Sequence, residues 1–282
     1  MKIALLTAIA MLAFAANSVL ARLAFATAGA EPMSYTGIRL AAGAATLAII
    51  LLLRRDRATA IAGSWRGAAA LFGYAILFSI AYIMLGAGTG ALILFASVQI
   101  GILGWAVLQG DRPGPLEWLG LAIAFGGLVY LVSPGLVAPD PLGTLLMVGA
   151  GLCWAGYTLI GRGSREPLRD TAGNFIRCVP VALTLILAGV LSRTVEPLAA
   201  AYALASGALA SGLGYAIWYA VLPALTRTRA AIVQLTVPAI AAAGGVLLIG
   251  EPLTSRLLLA SLAIIGGVAT TLVTSARRRA RT

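Results

Sequence analysis

Asn17, Tyr74, Tyr82, Gln99, Trp154, Tyr157, Tyr215, Trp218, Tyr219 and Gln234 are the side chains of this 282-residue chain with most chemistry to offer, and each lies inside an apolar run. Ser18, Ser97, Thr158 and Thr236 accompany them. Amides are costly in hydrocarbon, so Asn17, Gln99 and Gln234 are expected to face a bundle interior or a wet cavity. Tyr74 and Tyr82 share a helix face at spacing eight, and Tyr215 and Tyr219 at spacing four. Such a lining suits a small zwitterion: amides and hydroxyls bond its ammonium and carboxylate, and rings pack its side chain. Aromatic residues near helix ends also form interfacial belts, the competing reading for the rings. Arg39 and Arg177 are the most expensive polar groups. Each either holds a carboxylate or is structural, snorkelling or satisfying helix-end carbonyls, with Glu31 and Glu166 as available ion-pair partners. No acidic residue lies centrally in an apolar run, and histidine is absent. That disfavours tight proton coupling. It also argues against a protease, a metal enzyme or an acyl-transfer site, which need a base or ligands. No catalytic residue, metal or cofactor is expected.

These groups must be positioned by membrane helices. The chain is 61% hydrophobic and only 10% charged, against about 25% charged residues in soluble domains. Ten runs long enough to cross hydrocarbon cover roughly 3–21, 33–53, 67–85, 89–108, 116–132, 142–160, 172–191, 200–222, 230–249 and 257–274. The fold class expected is an all-α polytopic membrane protein of ten helices. The net charge of +11 does not mark nucleic-acid binding, because its placement follows the membrane. With the N-terminus cytoplasmic, fifteen basic residues fall inside, among them Lys2, Arg54, Arg66, Arg112, Arg162 and Arg277. Only Arg22, Arg193 and Arg256 fall outside. Both termini are therefore expected in the cytoplasm, with the Arg277–Arg281 tail on anionic lipid headgroups. Lys2, an apolar stretch and Val19-Leu20-Ala21 have the outline of a secretory signal. The same stretch has a counterpart at 142–162, so it reads as the first membrane helix. Cys153 and Cys178 both lie in helices and suggest no disulfide framework.

The two halves resemble one another at an offset of 140. Leu5-Leu6 matches Leu145-Leu146, Arg22 matches Arg162, Gly110-Asp111 matches Gly250-Glu251, and Gly126-Gly127 matches Gly266-Gly267. GYAI occurs at Gly73–Ile76 and again at Gly214–Ile217, one residue out of phase. Asn17 and Tyr157 are partners in this alignment, as are Ser18 and Thr158. Residues 1–138 and 139–282 are read as two five-helix repeats. An odd helix number inverts the second, an arrangement associated with alternating access and a site at the repeat interface. The hairpins at 86–90 and 223–229 then stand as quasi-equivalent gates on opposite faces. Gly101, Gly104 and Gly244 permit close helix contact, and Pro223, at the end of the eighth helix, and Pro238, mid-ninth helix, break their helices. Together they are the expected hinges. Asp111 and Glu251 begin connections and are expected to act on the helix that follows.

The stretch Leu152-Cys153-Trp154-Ala155-Gly156-Tyr157-Thr158 resembles the sixth-helix pattern of the EamA-like family of the drug/metabolite transporter superfamily. Residues 211–222, Pro238, Gly250-Glu251-Pro252-Leu253 and Gly266-Gly267 resemble its later helices. Asn17, Arg39, Gly110-Asp111 and Trp118-Leu119-Gly120 match more loosely. The resemblance implies ten helices, inverted repeats, cytoplasmic termini and a multi-pass protein of the bacterial inner membrane. Two departures stand out: Val98-Gln99 where many members carry a proline, and Phe14 where a tryptophan is common. Asn17 takes the place of the first-helix glutamate of the four-helix small multidrug relatives, which weakens a proton/cation antiport reading. The chain is similar to bacterial aromatic amino acid exporters of the family. By that analogy it is expected to export neutral and aromatic amino acids and related metabolites, as a monomer among membrane lipids. The alternatives are a multidrug or organic-cation exporter, a sugar or nucleotide-sugar carrier using Arg39 and Arg177 on phosphates, and a non-transporting membrane component.

Overall fold

A computed structural model describes residues 2–54, 62–110, 113–132, 138–161, 164–192, 194–225 and 233–279. Asp111, Arg112, Arg162, Arg193, most of the hairpin at 223–229 and the last three residues lie outside this description. The described residues form helices and no strands. In chain order these are α1 (Lys2–Arg22), α2 (Pro32–Leu53), α3 (Trp65–Met84), α4 (Ala87–Leu108), α5 (Pro115–Val132), α6 (Pro141–Ile160) and α7 (Pro167–Ser192). The eighth, α8, runs Pro197–Ala205, widens to a π-helix over Ser206–Leu213, and resumes over Gly214–Val221. Then follow α9 (Thr236–Ile249) and α10 (Ser255–Arg279). Eight are long and apolar enough to cross a membrane, while α5 and α9 are shorter apolar helices.

Local chemistry sets the starts. Proline opens α2, α5, α6, α7 and α8, where its missing N–H costs nothing and its fixed φ suits the first turn. Glu31 caps α2, accepting from the N–H groups of Met33 at 2.9 Å and Ser34 at 2.7 Å. Asp140 caps α6 through Gly143 at 2.7 Å. α7 begins five residues before the apolar run, because Pro167 and Asp170 make a polar first turn that hydropathy alone passes over. The ninth helix departs from expectation. It breaks at Leu235 and restarts at Thr236, so Pro238 stands in a first turn and not mid-helix. A proline has no N–H to give and its ring crowds the carbonyl four residues back, which ends the short turn at 233–234. α4 runs unbroken through Gly101 and Gly104. Helix irregularities thus fall in α8, in α9 and after α1, which widens to a π-helix over Leu23–Thr27, and not in α3 or α4.

Packing joins helices from opposite ends of the chain. α5 lies against α10, α2 against α7, α3 and α4 against α6, and α1 against α8 and α9. Small residues make this possible. A Cβ on Gly267 would stand 2.5 Å from the Gly120 carbonyl oxygen and 2.6 Å from the Ala124 nitrogen. A Cβ on Gly37 would meet the Ala182 carbonyl oxygen at 2.5 Å. The core between these pairs is aromatic: Tyr35, Phe78, Tyr82 and Phe175 are all buried.

Candidate functional site

At the centre, one tyrosine hydroxyl gathers side chains from α1 and α2. The Tyr74 hydroxyl oxygen on α3 accepts from Asn17 Nδ2 on α1 and from Arg39 Nη2 on α2, each at 3.0 Å. Asn17 Oδ1 accepts from Ser206 Oγ at 2.5 Å. Ser206 opens the π-helical part of α8; such widened turns recur at functional sites. The Arg39 guanidinium lies over the rings of Phe78 and Tyr74, at 4.7 and 5.1 Å from their centroids. It is only 2% exposed.

Beside this knot runs a stack of rings. Trp154 meets Tyr74 at 4.8 Å, and stacks on Tyr157 at 5.2 Å and Tyr215 at 5.5 Å. Tyr215 in turn meets Phe14 at 5.6 Å, and Trp218 meets Phe14 at 5.9 Å. Tyr157 donates to Thr171 Oγ1 at 3.1 Å, which donates to the Tyr219 hydroxyl at 3.3 Å. Each copy of GYAI sets its glycine against another helix. The Gly73 Cα faces Cys153 and the Gly214 Cα faces Ala13, where an added Cβ would come within 3.0 and 2.9 Å. The tyrosines that follow them, Tyr74 and Tyr215, rest on Trp154 and Phe14.

The end of the bundle carrying Arg22 is tied by charge. Arg22 Nε donates to Glu251 Oε1 at 2.9 Å, and its Nη1 to the Tyr82 carbonyl at 2.9 Å. Glu251 Oε2 accepts from the Ala87 N–H, the first of α4, at 2.7 Å. One carboxylate thus joins the end of α1, the start of α4 and the turn between α9 and α10. Gly250 aims it: a left-handed φ of 74° ends α9, and the Glu251 N–H returns to the Gly245 carbonyl at 3.1 Å. Glu251 was expected to act on the helix that follows it, α10. It acts on α4 instead, because the turn folds it back across the bundle.

At the opposite end, the turn before α3 is held by α7. Gly63 and Ser64 donate their N–H groups to Asp170 Oδ1 at 2.9 Å and Asn174 Oδ1 at 2.8 Å. Arg177 Nη1 donates to the Ala62 carbonyl and to Gly173 at 3.1 Å.

The sequence-derived residues therefore divide. Asn17, Tyr74, Trp154, Tyr157 and Tyr215 meet at the centre with Arg39, while Tyr219 and Trp218 border it. Tyr82 belongs to the Arg22 end: its ring rests on Phe78 at 4.6 Å and its hydroxyl donates to the Ala87 carbonyl at 3.3 Å. Gln99 is buried on α4 and Gln234 is half-buried in the turn before α9, neither in the ring stack. Arg177 satisfies carbonyls, the structural alternative. Glu31 does not pair with Arg39, since both its oxygens cap α2; Glu166 pairs with Arg169 at 2.5 Å. Of the expected hinges, Gly101 packs against Ala155 and Leu152, Gly244 against Val19, and Gly104 faces open space. Pro223 sits in the exposed 3-10 turn that ends α8. Sequence reading missed Ser206, Thr171, Asp170 and Asn174. The last three lie at helical spacing in the polar first turns of α7, a signal that was available.

Comparison with known proteins agrees with this architecture. The model of the EamA-like transporter family matches residues 141–273. An uncharacterized protein of Pseudomonas aeruginosa is 51% identical over 98% of this chain and 96% of its own length. The uncharacterized transporter YwfM of Bacillus subtilis is 28% identical over 82% of this chain and 81% of its own. The threonine/homoserine exporter RhtA of Escherichia coli is 33% identical over 58% of this chain and 57% of its own. A crystal structure at 21% sequence identity superposes with a TM-score of 0.66, covering 98% of each chain, and shows the same fold. With its apolar helices, its motifs and these relatives, the chain belongs to the EamA-like transporter family of multi-pass membrane proteins.

Proposed function

We propose that this protein exports neutral and aromatic amino acids and related small metabolites across the bacterial inner membrane, by alternating access and without tight proton coupling. The observation that carries the proposal is the central cluster. Asn17, Arg39 and Tyr74 of one half meet Trp154, Ser206 and Tyr215 of the other, with charge, amide, hydroxyl and ring faces side by side. RhtA, a relative named for exporting two small neutral amino acids, supports the substrate class. Arg39 at the centre opposes an organic cation as cargo, so the multidrug alternative is not favoured.

The mechanism rests on residues 1–138 and 139–282 as inverted repeats, with both termini cytoplasmic and the monomer as the working unit. Equivalent contacts support it. Gly73 on Cys153 and Tyr74 on Trp154 in one pairing correspond to Gly214 on Ala13 and Tyr215 on Phe14 in the other. Gly110 and Gly250, partners at offset 140, both end their helices with positive φ, 90° and 74°. On this topology the Arg22 end faces outward, and the Arg22–Glu251 contact is its closed gate.

The test is counterflow of labelled amino acids and of an organic cation into liposomes holding the purified protein, with and without a pH gradient. Saturable amino acid exchange that ignores the gradient is expected. Cation flux that requires the gradient, without amino acid exchange, overturns the proposal.

A further inference from the structure

Arg39 brings a full charge into the middle of the bundle, and no described carboxylate comes within ion-pair distance of it. Its Nη2 is used by Tyr74, but its Nη1 is shut away from solvent and has no hydrogen-bond partner. One helical turn earlier, on the same face of α2, the Tyr35 hydroxyl is also enclosed and makes no well-formed hydrogen bond, with the Ser206 hydroxyl beside it. Tyr35 is 1% exposed. Both side chains are firmly placed, Tyr35 against the Phe25 ring at 4.8 Å and Arg39 over the rings of Tyr74 and Phe78.

Most acceptors nearby are already engaged, and only the Ser206 oxygen beside Tyr35 stays open. The Tyr74 oxygen takes two donors, and Asn17 Oδ1 takes Ser206. The spot is therefore rich in donors, poor in acceptors and positively charged. A buried donor without a partner is costly, and a charged one more so. An unpaired buried charge is costlier still. Water would supply acceptors but no charge. A carboxylate supplies both, with two oxygens in the plane that a guanidinium fork prefers. One guanidinium balances one negative charge, so a dianion such as a phosphate monoester would leave the site net negative inside the membrane.

We infer that the Arg39–Tyr35 face of α2 is the seat of the substrate's carboxylate, with Arg39 Nη1 and the Tyr35 hydroxyl as its donors. This rests on the transport reading above and narrows it: cargo must carry a free carboxylate, and amides, esters and decarboxylated amines are refused.

The test compares matched pairs by thermal unfolding and by counterflow: L-phenylalanine with L-phenylalaninamide, and hydrocinnamate with hydrocinnamamide. The carboxylates are expected to raise the unfolding midpoint of the wild-type protein and the amides to leave it unmoved. Arg39→Gln should raise half-saturation for the carboxylates at least tenfold, and Arg39→Lys by less. Tyr35→Phe removes only a hydroxyl that makes no well-formed hydrogen bond, beside Ser206, so it should fold normally and still weaken the carboxylates about threefold. Amides that bind as well as acids overturn the seat, as does a wild-type half-saturation in both Tyr35→Phe and Arg39→Gln, or the absence of any response to either carboxylate. The two readings fail differently. Equal exchange of amino acids and their amides sinks the seat alone. Stabilisation by hydrocinnamate that Arg39→Gln abolishes, without amino acid exchange, keeps the seat and sinks the amino acid assignment.

Discussion

Replacing Glu251 with glutamine keeps the side chain's shape and removes its charge. In the structure this carboxylate accepts from Arg22 Nε at 2.9 Å and from the Ala87 N–H at 2.7 Å. The side chains of the pair are 17% and 16% exposed, which places it between a solvent-exposed pair worth under about 1 kcal/mol and a fully buried pair whose disruption costs about 3–5 kcal/mol. The glutamine oxygen can still accept from Ala87, so one charge-assisted bond is lost and one is weakened. That amounts to about 2 kcal/mol withdrawn from the proposed closed gate, or about a 30-fold shift of the closed-to-open ratio. The readout is Ser18, buried one turn below Arg22. In a background with Cys153 and Cys178 replaced by alanine, Ser18→Cys should react with a membrane-impermeant maleimide about 30-fold faster when Glu251→Gln is added. Arg22→Gln should match it within a few fold. The double variant should add little, because both changes break the same contact. An unchanged labelling rate, or fully additive effects, would refute the gate.

Other perturbations read the packing. Gly267→Ala forces a Cβ onto the backbone of α5 at Gly120 and Ala124, and neither atom can yield; a loss of about 2–3 kcal/mol is expected in thermal unfolding. Gly104→Ala meets nothing within 4 Å on an unbroken helix, so it should gain up to about 1 kcal/mol in the same measurement. Asn17→Ala takes the acceptor from the Ser206 hydroxyl and one of two donors from the Tyr74 oxygen, leaving Arg39 as the other; a stability loss of about 1–3 kcal/mol should accompany loss of counterflow. Tyr82→Phe surrenders the long bond to Ala87 at 3.3 Å and the hydroxyl contact with Ser18 and should cost about 1–2 kcal/mol, whereas Tyr82→Ala empties its place against Phe78 and should cost about 3–5 kcal/mol.

Hydropathy placed helix ends within a few residues wherever proline or glycine punctuates the chain. It failed at α7, whose first turns are polar because they hold the turn before α3, and at Leu235, where a proline three residues on forces a restart. Asn17, Tyr74, Trp154 and Tyr215 were legible as a set because polar and aromatic groups inside apolar runs have few places to go. Arg39 was legible as costly but not as central. A position eight residues into a helix is consistent with snorkelling, and only the enclosing rings of Tyr74 and Phe78 decide against it. Glu251 was legible as structural, but its target across the bundle depends on the backbone reversal at Gly250, a tertiary fact. The repetition of GYAI was visible as a coincidence of letters. Its physical sense, a glycine that admits another helix followed by a ring that lands on it, needed both contacts in view.

The contacts of the bundle fall into two mechanical kinds. α5 meets α10, and α2 meets α7, through glycines set directly against backbone atoms of the partner, at Gly120 with Gly267 and at Gly37 with Ala182. Atoms that close leave no slack, so these pairs cannot slide without clashing and should move as rigid bodies. The Arg22 end is different. It is held by one carboxylate, two arginine bonds and a backbone N–H, all of which water can replace once the end opens. Beneath it, the interruptions of α8 and α9 lie on helices that pack against α1, where bending costs least. A transporter that alternates needs stiff bodies joined by contacts that can be exchanged for water. On the proposed mechanism, the glycines facing backbone would supply the first, and the Arg22–Glu251 pair the second.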